Sequence, residues 1–356
     1  MKKVLIISRQ QFGYLIDIYK WCQYIGKDYS VDVITLGGRP KVPFAEPNVR
    51  VHYVSDRGCR TIRGIRFILV CLWHMLNYKG SIIVEFFHGC SIFKRVYPRK
   101  RMILDVRTLS VSDNEEIRKK DDGLLKQYTE IFDFVTIISE GTQKKLGLGK
   151  EKSAILPLGA DIISETSKNF ENLSLLYVGT LTGRQIDKTV RGLAMFIERN
   201  PLVPVHYNIV GDGQGNELQE LKTLAKELGL VDYMTFYGYK LHNDIKFLFN
   251  ECNVGISFVP ITPHYDHQPP TKSYEYVLSG LYTIATGTYC NKQIITEENG
   301  MIIKDNEEEF CFALENVVKK RERLDSKEIR QSLQGSLWKN IVKDSLQTLL
   351  DSLDGK

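Results

Sequence analysis

Leu156-Pro157-Leu158-Gly159-Ala160-Asp161, the polar stretch 164–172 and then the apolar run Leu173-Ser174-Leu175-Leu176-Tyr177-Val178 decide the fold. Upstream of this passage, short β-branched runs alternate with helical patterns. The runs are 4–8, 31–36, 49–54, 82–87, 102–106 and 134–138, and helical candidates include 14–27, 61–78 and 115–132. Downstream the scheme repeats, with strands expected at 173–178, 206–210, 234–237, 254–259, 282–285 and 301–303. Helices are expected near 188–199, 216–228, 243–251 and 271–279. Several runs are near-continuous apolar stretches, as required of strands covered on both faces by helices. Two consecutive βαβα series predict an α/β protein of two doubly wound, Rossmann-like parallel sheets, in domains 1–165 and 166–334. A helical stretch, 326–353, ends the chain and contains Trp338. No strand follows it, so the tail from about residue 335 to 356 is expected to cross back and pack on the first domain.

Composition narrows the class. With 356 residues, 43% hydrophobic and 26% charged, the chain is a globular protein and neither a disordered segment nor a coiled coil. Seven cysteines, with no C-x-x-C and no zinc spacing, argue against a disulfide framework and for a reducing, cytoplasmic setting. Met1-Lys2-Lys3 leads into a run too short for a signal peptide, which reads as a first strand. The apolar run 67–73 cannot span a bilayer, which takes about 20 residues. The net charge of +5 is uneven: residues 1–165 carry +9 and residues 166–356 carry −4. The first half is therefore the one expected to meet an anion.

Ligands of doubly wound sheets bind beyond the carboxyl ends of strands, and with two such domains a cleft between them is the natural site. Four segments stand there. Gly13, in Gln10-Gln11-Phe12-Gly13, reads either as a close backbone approach to a ligand or as a tight turn. In Gly179-Thr180-Leu181-Thr182-Gly183-Arg184 a guanidinium beside a glycine-rich turn suits a diphosphate, and the plainer reading is a solvated arginine. Gly211-Asp212-Gly213-Gln214-Gly215 lacks the G-x-G-x-x-G spacing of a dinucleotide site, and Asp232 precedes the next strand instead of following it. It reads as a turn that lines a base or supports the fold. Most specific is Gln268-Pro269-Pro270-Thr271-Lys272-Ser273-Tyr274-Glu275-Tyr276, ahead of Gly280. Thr271 is placed to cap a helix. Lys272 in the first turn is unfavourable against the helix dipole unless an anion sits there, and Glu275 follows one turn on. The competing reading is a solvated Lys–Glu pair.

These residues resemble a GT-B glycosyltransferase, of the retaining family-4 type (glycosyl transferases group 1). The resemblance rests on residues 156–161, on Tyr177-Val178-Gly179-Thr180-Leu181 with Arg184, on Ile209-Val210-Gly211-Asp212-Gly213, and above all on Pro270-x-Lys272-x-x-Glu275-Tyr276 with Gly280. It implies transfer of a sugar from a nucleotide-diphosphate-sugar, of UDP or GDP type, to a hydroxyl acceptor with retention. No cofactor or metal is implied. Arg184 and Lys272 would hold the diphosphate with Gly179, Thr180 and Thr271. Glu275 would bind ribose, Gly13 would face the phosphates, and Gly211, Tyr237 and Tyr239 would hold the base. Where the family often has a first Glu, this chain has His267, with Asp266 as a substitute carboxylate. His264 and His267 also have the spacing of a metal pair, without a third ligand in sequence reach.

On the first domain, Asp105, Arg107 and His88 end strands and are candidates to position acceptor or donor sugar. A core-edge salt bridge and a structural histidine are the alternatives. Arg57, Arg60, Arg63 and Arg66 recur every third residue before the run 67–73, and Lys94, Arg95, Arg99, Lys100 and Arg101 form a second cluster. A basic amphipathic segment can lie on an anionic bilayer, which would suit a lipid-linked acceptor in polysaccharide or glycolipid assembly at the inner face of a membrane. A solvated helix face is the bland reading. Nucleic-acid binding is disfavoured by the lack of interleaved aromatics. A nucleotide-sugar epimerase, a phosphorylase and a non-catalytic nucleotide-binding protein remain as alternatives.

Overall fold

The computed structural model describes residues 1–354 apart from Val111, Asp113 and His264. The chain forms two compact units, Met1–Gly159 with Trp338–Lys356, and Ala160–Leu337.

The first unit is built on seven strands: β1 (Lys2–Ser8), β2 (Tyr29–Gly37), β3 (Val49–Ser55), β4 (Ser81–Glu85), β5 (Met102–Val106), β6 (Phe134–Ile137) and β7 (Ser153–Ile155). They pair in the order β3-β2-β1-β4-β5-β6-β7, all parallel. Val4 to Ile7 are at most 1% exposed, which is why β1 is apolar on both faces. The second unit has β8 (Leu173–Val178), β9 (Val205–Val210), β10 (Met234–Gly238), β11 (Val254–Ser257), β12 (Tyr282–Thr286) and β13 (Gly300–Ile303). Their order is β10-β9-β8-β11-β12-β13, again all parallel. Each sheet therefore reverses its winding direction once, between β1 and β4 and between β8 and β11.

The expected strands are present, with ends shifted by a few residues. The sequence reading omitted β7, which has three residues, and the helices Ser91–Val96, Glu140–Leu146 and Glu307–Lys320. The last of these carries clear end signals. The Asn306 side chain accepts from the Glu309 amide, three glutamates fill the first turn, and Lys319 and Lys320 stand in the last.

Two segments near the boundaries carry detail that composition does not show. The polar stretch 164–172 has the composition of a linker but is fastened to the second unit. Ile163 and Ser164 amides donate to Ser279 Oγ at 3.2 and 3.3 Å, and Lys168 Nζ donates to the carbonyls of Phe249 and Asn250. Asn253 Nδ2 donates to Asn169 O and Asn172 O, both at 2.6 Å. The stretch is held chiefly through its backbone, with Lys168 reaching the end of the helix Lys246–Glu251 and Asn253 reaching back to it, while most of its own polar side chains face water. The helical stretch expected over 326–353 is interrupted. Ser326–Gln331 is capped by Asp325, and Leu337 is extended and bridges Ala160. Helix resumes at Trp338 and continues to Asp354, with a wider turn over Val342–Gln347. That segment packs on the first unit: Trp338, Val342, Leu346 and Leu350 are buried, and Asp351 accepts from Lys2 Nζ at 2.8 Å and from the Tyr29 hydroxyl.

Two glycines test this packing in opposite directions. Gly64, inside the helix Arg60–Leu76, has nothing within 4 Å of an added Cβ, whereas a Cβ on Gly255 in β11 would overlap the Tyr276 ring. Gly64→Ala should raise stability by about 0.5–1 kcal/mol. Gly255→Ala should lower it by about 1–3 kcal/mol. Denaturant melts of the two variants against the parent check both signs.

Candidate functional site

In the second unit the reversal between β8 and β11 leaves a crevice beyond their carboxyl ends, and a cavity of about 280 Å³ lies there. Its wall is drawn from three places: the end of β8 and its turn (Tyr177 to Thr180, then Arg184), the end of β11 and its loop (with Tyr265, Gln268 and Pro269), and the start of the helix Thr271–Leu278. Arg184 and Lys272 both line it, and among the described residues no aspartate or glutamate does. The sequence thus brings Gly179, Thr180, Arg184, Thr271 and Lys272 to one place.

Each wall is locally fixed. The β8 turn is bonded to the turn after β9: Leu181 N donates to Asp212 O at 3.0 Å and Gln214 N to Thr182 Oγ1 at 2.8 Å. Gly211, at φ 146°, lies so close that a Cβ would overlap the Gly179 carbonyl. That approach accounts for the glycine by itself. The helix is set by its underside. Tyr276 stacks over Gly255, and its hydroxyl accepts from Val178 N at 2.8 Å, tying the helix to the end of β8. Ser273 Oγ bonds Ser257 Oγ at 2.7 Å and Asn291 Oδ1 at 2.8 Å, and Asn291 Nδ2 reaches Thr286 O at 2.9 Å. Thr271 is the first helical residue and not its cap. Pro270 precedes it in extended backbone and offers no side-chain bond, so the first turn meets the cavity uncapped.

The two cations rest on internal partners. The Arg184 guanidinium lies 4.3 Å from the Tyr265 ring centroid, and Lys272 Nζ donates to Glu275 Oε2 at 2.5 Å. Glu275 is 8% exposed, one turn below the cavity wall. Tyr265 was not singled out by sequence, because its loop carries no periodic signal, and Gln268 opened the quoted motif without being given a role.

The remaining candidates lie elsewhere. Tyr237 bonds Asn208 Oδ1 at 3.3 Å and packs edge-on against Phe247, and Tyr239 is 73% exposed. His267 is turned onto the Tyr289 ring, 4.8 Å between centroids, and onto Asp266, so it is outside the cavity wall. Asp266 Oδ1 accepts from the Tyr289 amide at 2.7 Å and its Oδ2 stands 3.4 Å from His267 Nε2, and it too is outside the cavity wall. His264 lies outside the described residues. Among the described residues no three His, Cys, Asp or Glu side chains are grouped to hold a metal ion.

On the first unit Gly13 has φ 90° and is packed by Val42. His88 is exposed, with its ring 5.7 Å from Phe86. Asp105 and Arg107 carry buried side chains held by internal partners. Arg107 is paired with Asp17, donates to Leu156 O at 2.7 Å, stands 3.7 Å from Asp105 Oδ1 and lies over the Trp21 ring. The arginine joins the helix Ile16–Ile25 to the sheet end. Asp105 is fully buried and accepts from Thr136 Oγ1 at 2.7 Å; burial pushes its carboxyl up to about 6. Glu85 accepts from Ser8 Oγ, and burial pushes it up to about 7, against the opposing pull of that hydrogen bond.

A carboxyl raised on folding contributes stability that is full below its ordinary value and lost as pH rises through the folded one. Glu85→Gln should therefore gain stability relative to the parent as pH rises from about 4.5 to about 7. Thermal melts across that window measure the difference, and a constant offset would show that Glu85 does not titrate there.

The family profile described as glycosyl transferases group 1 matches residues 162–331. No curated protein sequence matches the chain. Sucrose-phosphate synthase (tll1590) from Thermosynechococcus elongatus is similar in structure, with TM-score 0.77 and 16% identity over 100% of both chains. Anabaena Alr3699/HepE, in complex with UDP and glucose, aligns with TM-score 0.72 and 14% identity, over 98% of this chain and 99% of that one. The lipopolysaccharide outer core galactosyltransferase WaaB aligns with TM-score 0.73 and 12% identity, over 99% and 100%. Such identities speak to the fold. The profile match fills nearly all of the second unit, which therefore carries the glycosyl transferases group 1 domain, and the chain as a whole has the GT-B fold.

Proposed function

We propose that the protein transfers a sugar from a nucleoside-diphosphate-sugar to a hydroxyl of a carbohydrate or lipid-linked acceptor, with retention of anomeric configuration, in polysaccharide or glycolipid assembly. One observation carries the donor side: Arg184, Lys272 and an uncapped helix start line one acid-free cavity at the reversal point of the second sheet. Such a cavity selects an anion, and a guanidinium with an ammonium suits a diphosphate.

In this reading the incoming diphosphate draws Arg184 off the Tyr265 ring and Lys272 off Glu275. The freed Glu275 carboxylate then accepts from two ribose hydroxyls. As the bond from the anomeric carbon to phosphate oxygen breaks, negative charge grows on the leaving diphosphate. Arg184, Lys272 and the first-turn amides meet that charge where it develops, so they stabilise the transition state more than the ground state. The acceptor oxygen forms its bond to the anomeric carbon on the face the diphosphate leaves. The acceptor proton passes to a phosphate oxygen, so no protein base is needed. Asp105 and Arg107 act only by positioning the sheet end, and His267 by positioning the loop. These two cations are proposed to suffice without a divalent ion.

A thermal-shift panel of UDP, GDP, ADP and their sugars tests the donor assignment. UDP heads the panel because the similar HepE structure is a complex with UDP and glucose. A true donor nucleotide at about 100 times its Kd should add about 2.7 kcal/mol. Lys272→Ala and Glu275→Ala should each lose that shift while unliganded melting moves little; a full response in either variant refutes its assignment. With a donor in hand, Arg184→Ala should lower kcat by about 10²–10³. Turnover should survive EDTA, and loss restored by a divalent ion would overturn the metal-free reading.

A further inference from the structure

The helix Arg60–Leu76 of the first unit is apolar on the wrong side as well as the right one. Phe67, Cys71 and Met75 point into the core. On the opposite side, Ile62, Ile65, Leu69, Trp73 and Leu76 are 52–72% exposed. At 3.6 residues per turn those five fall within about 80° of arc, so they form one continuous stripe. Scattered exposed apolar residues need no explanation, but a stripe along a whole helix marks a docking surface.

Charge decides what docks. Between residues 57 and 101 the sequence has ten lysines and arginines and one acid, Glu85, whose carboxyl is bonded to Ser8. Arg57 and Arg60 are exposed at one end of the stripe, and Lys79 at the other. Tyr97, whose hydroxyl donates to Leu72 O at 3.1 Å, ties in the neighbouring segment with exposed Arg95 and Arg99. A second copy of so cationic a face would be repelled, and a nucleic acid would have no use for the apolar stripe.

We infer that this helix is a membrane-surface anchor that lies in the plane of an anionic bilayer. The stripe enters the boundary between headgroups and acyl chains, and the flanking arginines pair with lipid phosphates. Trp73, at 72% exposure, sits at the depth preferred by interfacial tryptophan. Among the described residues no helix is long and apolar enough to cross a membrane, so the contact is peripheral. The inference stands apart from the donor site, since the failure of either leaves the other intact.

The full chain itself carries the reporter, because Trp21 and Trp338 are buried and Trp73 is not. Vesicles of phosphatidylcholine with about one third phosphatidylglycerol should shift its emission to the blue and float with the protein, whereas pure phosphatidylcholine should bind at least about tenfold less. The triple variant Ile65→Ser, Leu69→Ser, Trp73→Ser should lower the floated fraction at least about tenfold. Arg57→Gln with Arg60→Gln should cost about fivefold per arginine and leave a binding less sensitive to salt. Melting temperatures without vesicles should be unchanged in both variants, which controls for folding. Absence of flotation overturns the inference, as does flotation unaffected by the triple variant. A parent that is dimeric in solution and becomes monomeric in the triple variant would assign the stripe to a second copy instead.

Discussion

Everything in the second unit's site depends on how closely the helix Thr271–Leu278 sits on β11. Gly255 is the reason it can sit there, because the Tyr276 ring occupies the space a Cβ would take. From that position the Tyr276 hydroxyl reaches Val178 N, and one contact fixes the helix to both strands that border the cavity. Ser273, Ser257 and Asn291 then form a buried polar chain beneath the first turn. Such a network is costly when partly satisfied and rigid when complete. Its effect is to hold Lys272 and Thr271 in the cavity wall, with little freedom for the backbone to retreat when charge arrives.

A cation site without its anion has its own problem, since an unpaired charge that is partly buried is unfavourable. Both cations are placed so as to avoid this. Lys272 pairs with Glu275, and Arg184 lies on an aromatic face. Neither partner is hard to leave. An i,i+3 pair is worth a few tenths of a kcal/mol in the open, and a cation–π contact about 0.5–2 kcal/mol. A diphosphate offers both groups charge-assisted bonds, which are stronger. The resting partners therefore keep the site assembled without competing strongly for it.

The fold was legible because parallel strands covered on both faces must be apolar through their centres, as in Val4 to Ile7 and Leu175 to Tyr177. The cavity was legible because a doubly wound sheet puts ligands after particular strands, so Arg184 and Lys272 could be chosen by position. What misled was polarity read without context. The stretch 164–172 is polar, but its backbone is bonded by Ser279 and Asn253 of the second unit. Asp105 and Arg107 end a strand where substrate contacts are expected, yet Asp17, far away in sequence, claims the arginine. That pairing is set by tertiary packing and has no local signature. Tyr265 was missed for the same reason, since only the folded loop lays it against Arg184.

The uneven charge of the chain follows from two different demands. Residues 166–356 carry −4 overall and place Arg184 and Lys272 in a cavity wall, where the proposed diphosphate would be recognised by geometry at short range. Residues 1–165 carry +9, and much of that surplus flanks one exposed apolar stripe. A surface field of that kind attracts without choosing among anions, as a bilayer contact requires, and it fades within a Debye length. Had the same surplus surrounded the donor cavity, any polyanion would compete with the nucleotide for it. On both proposals, confining the diffuse charge to one unit and the focused pair to the other would let the two kinds of anion be met separately.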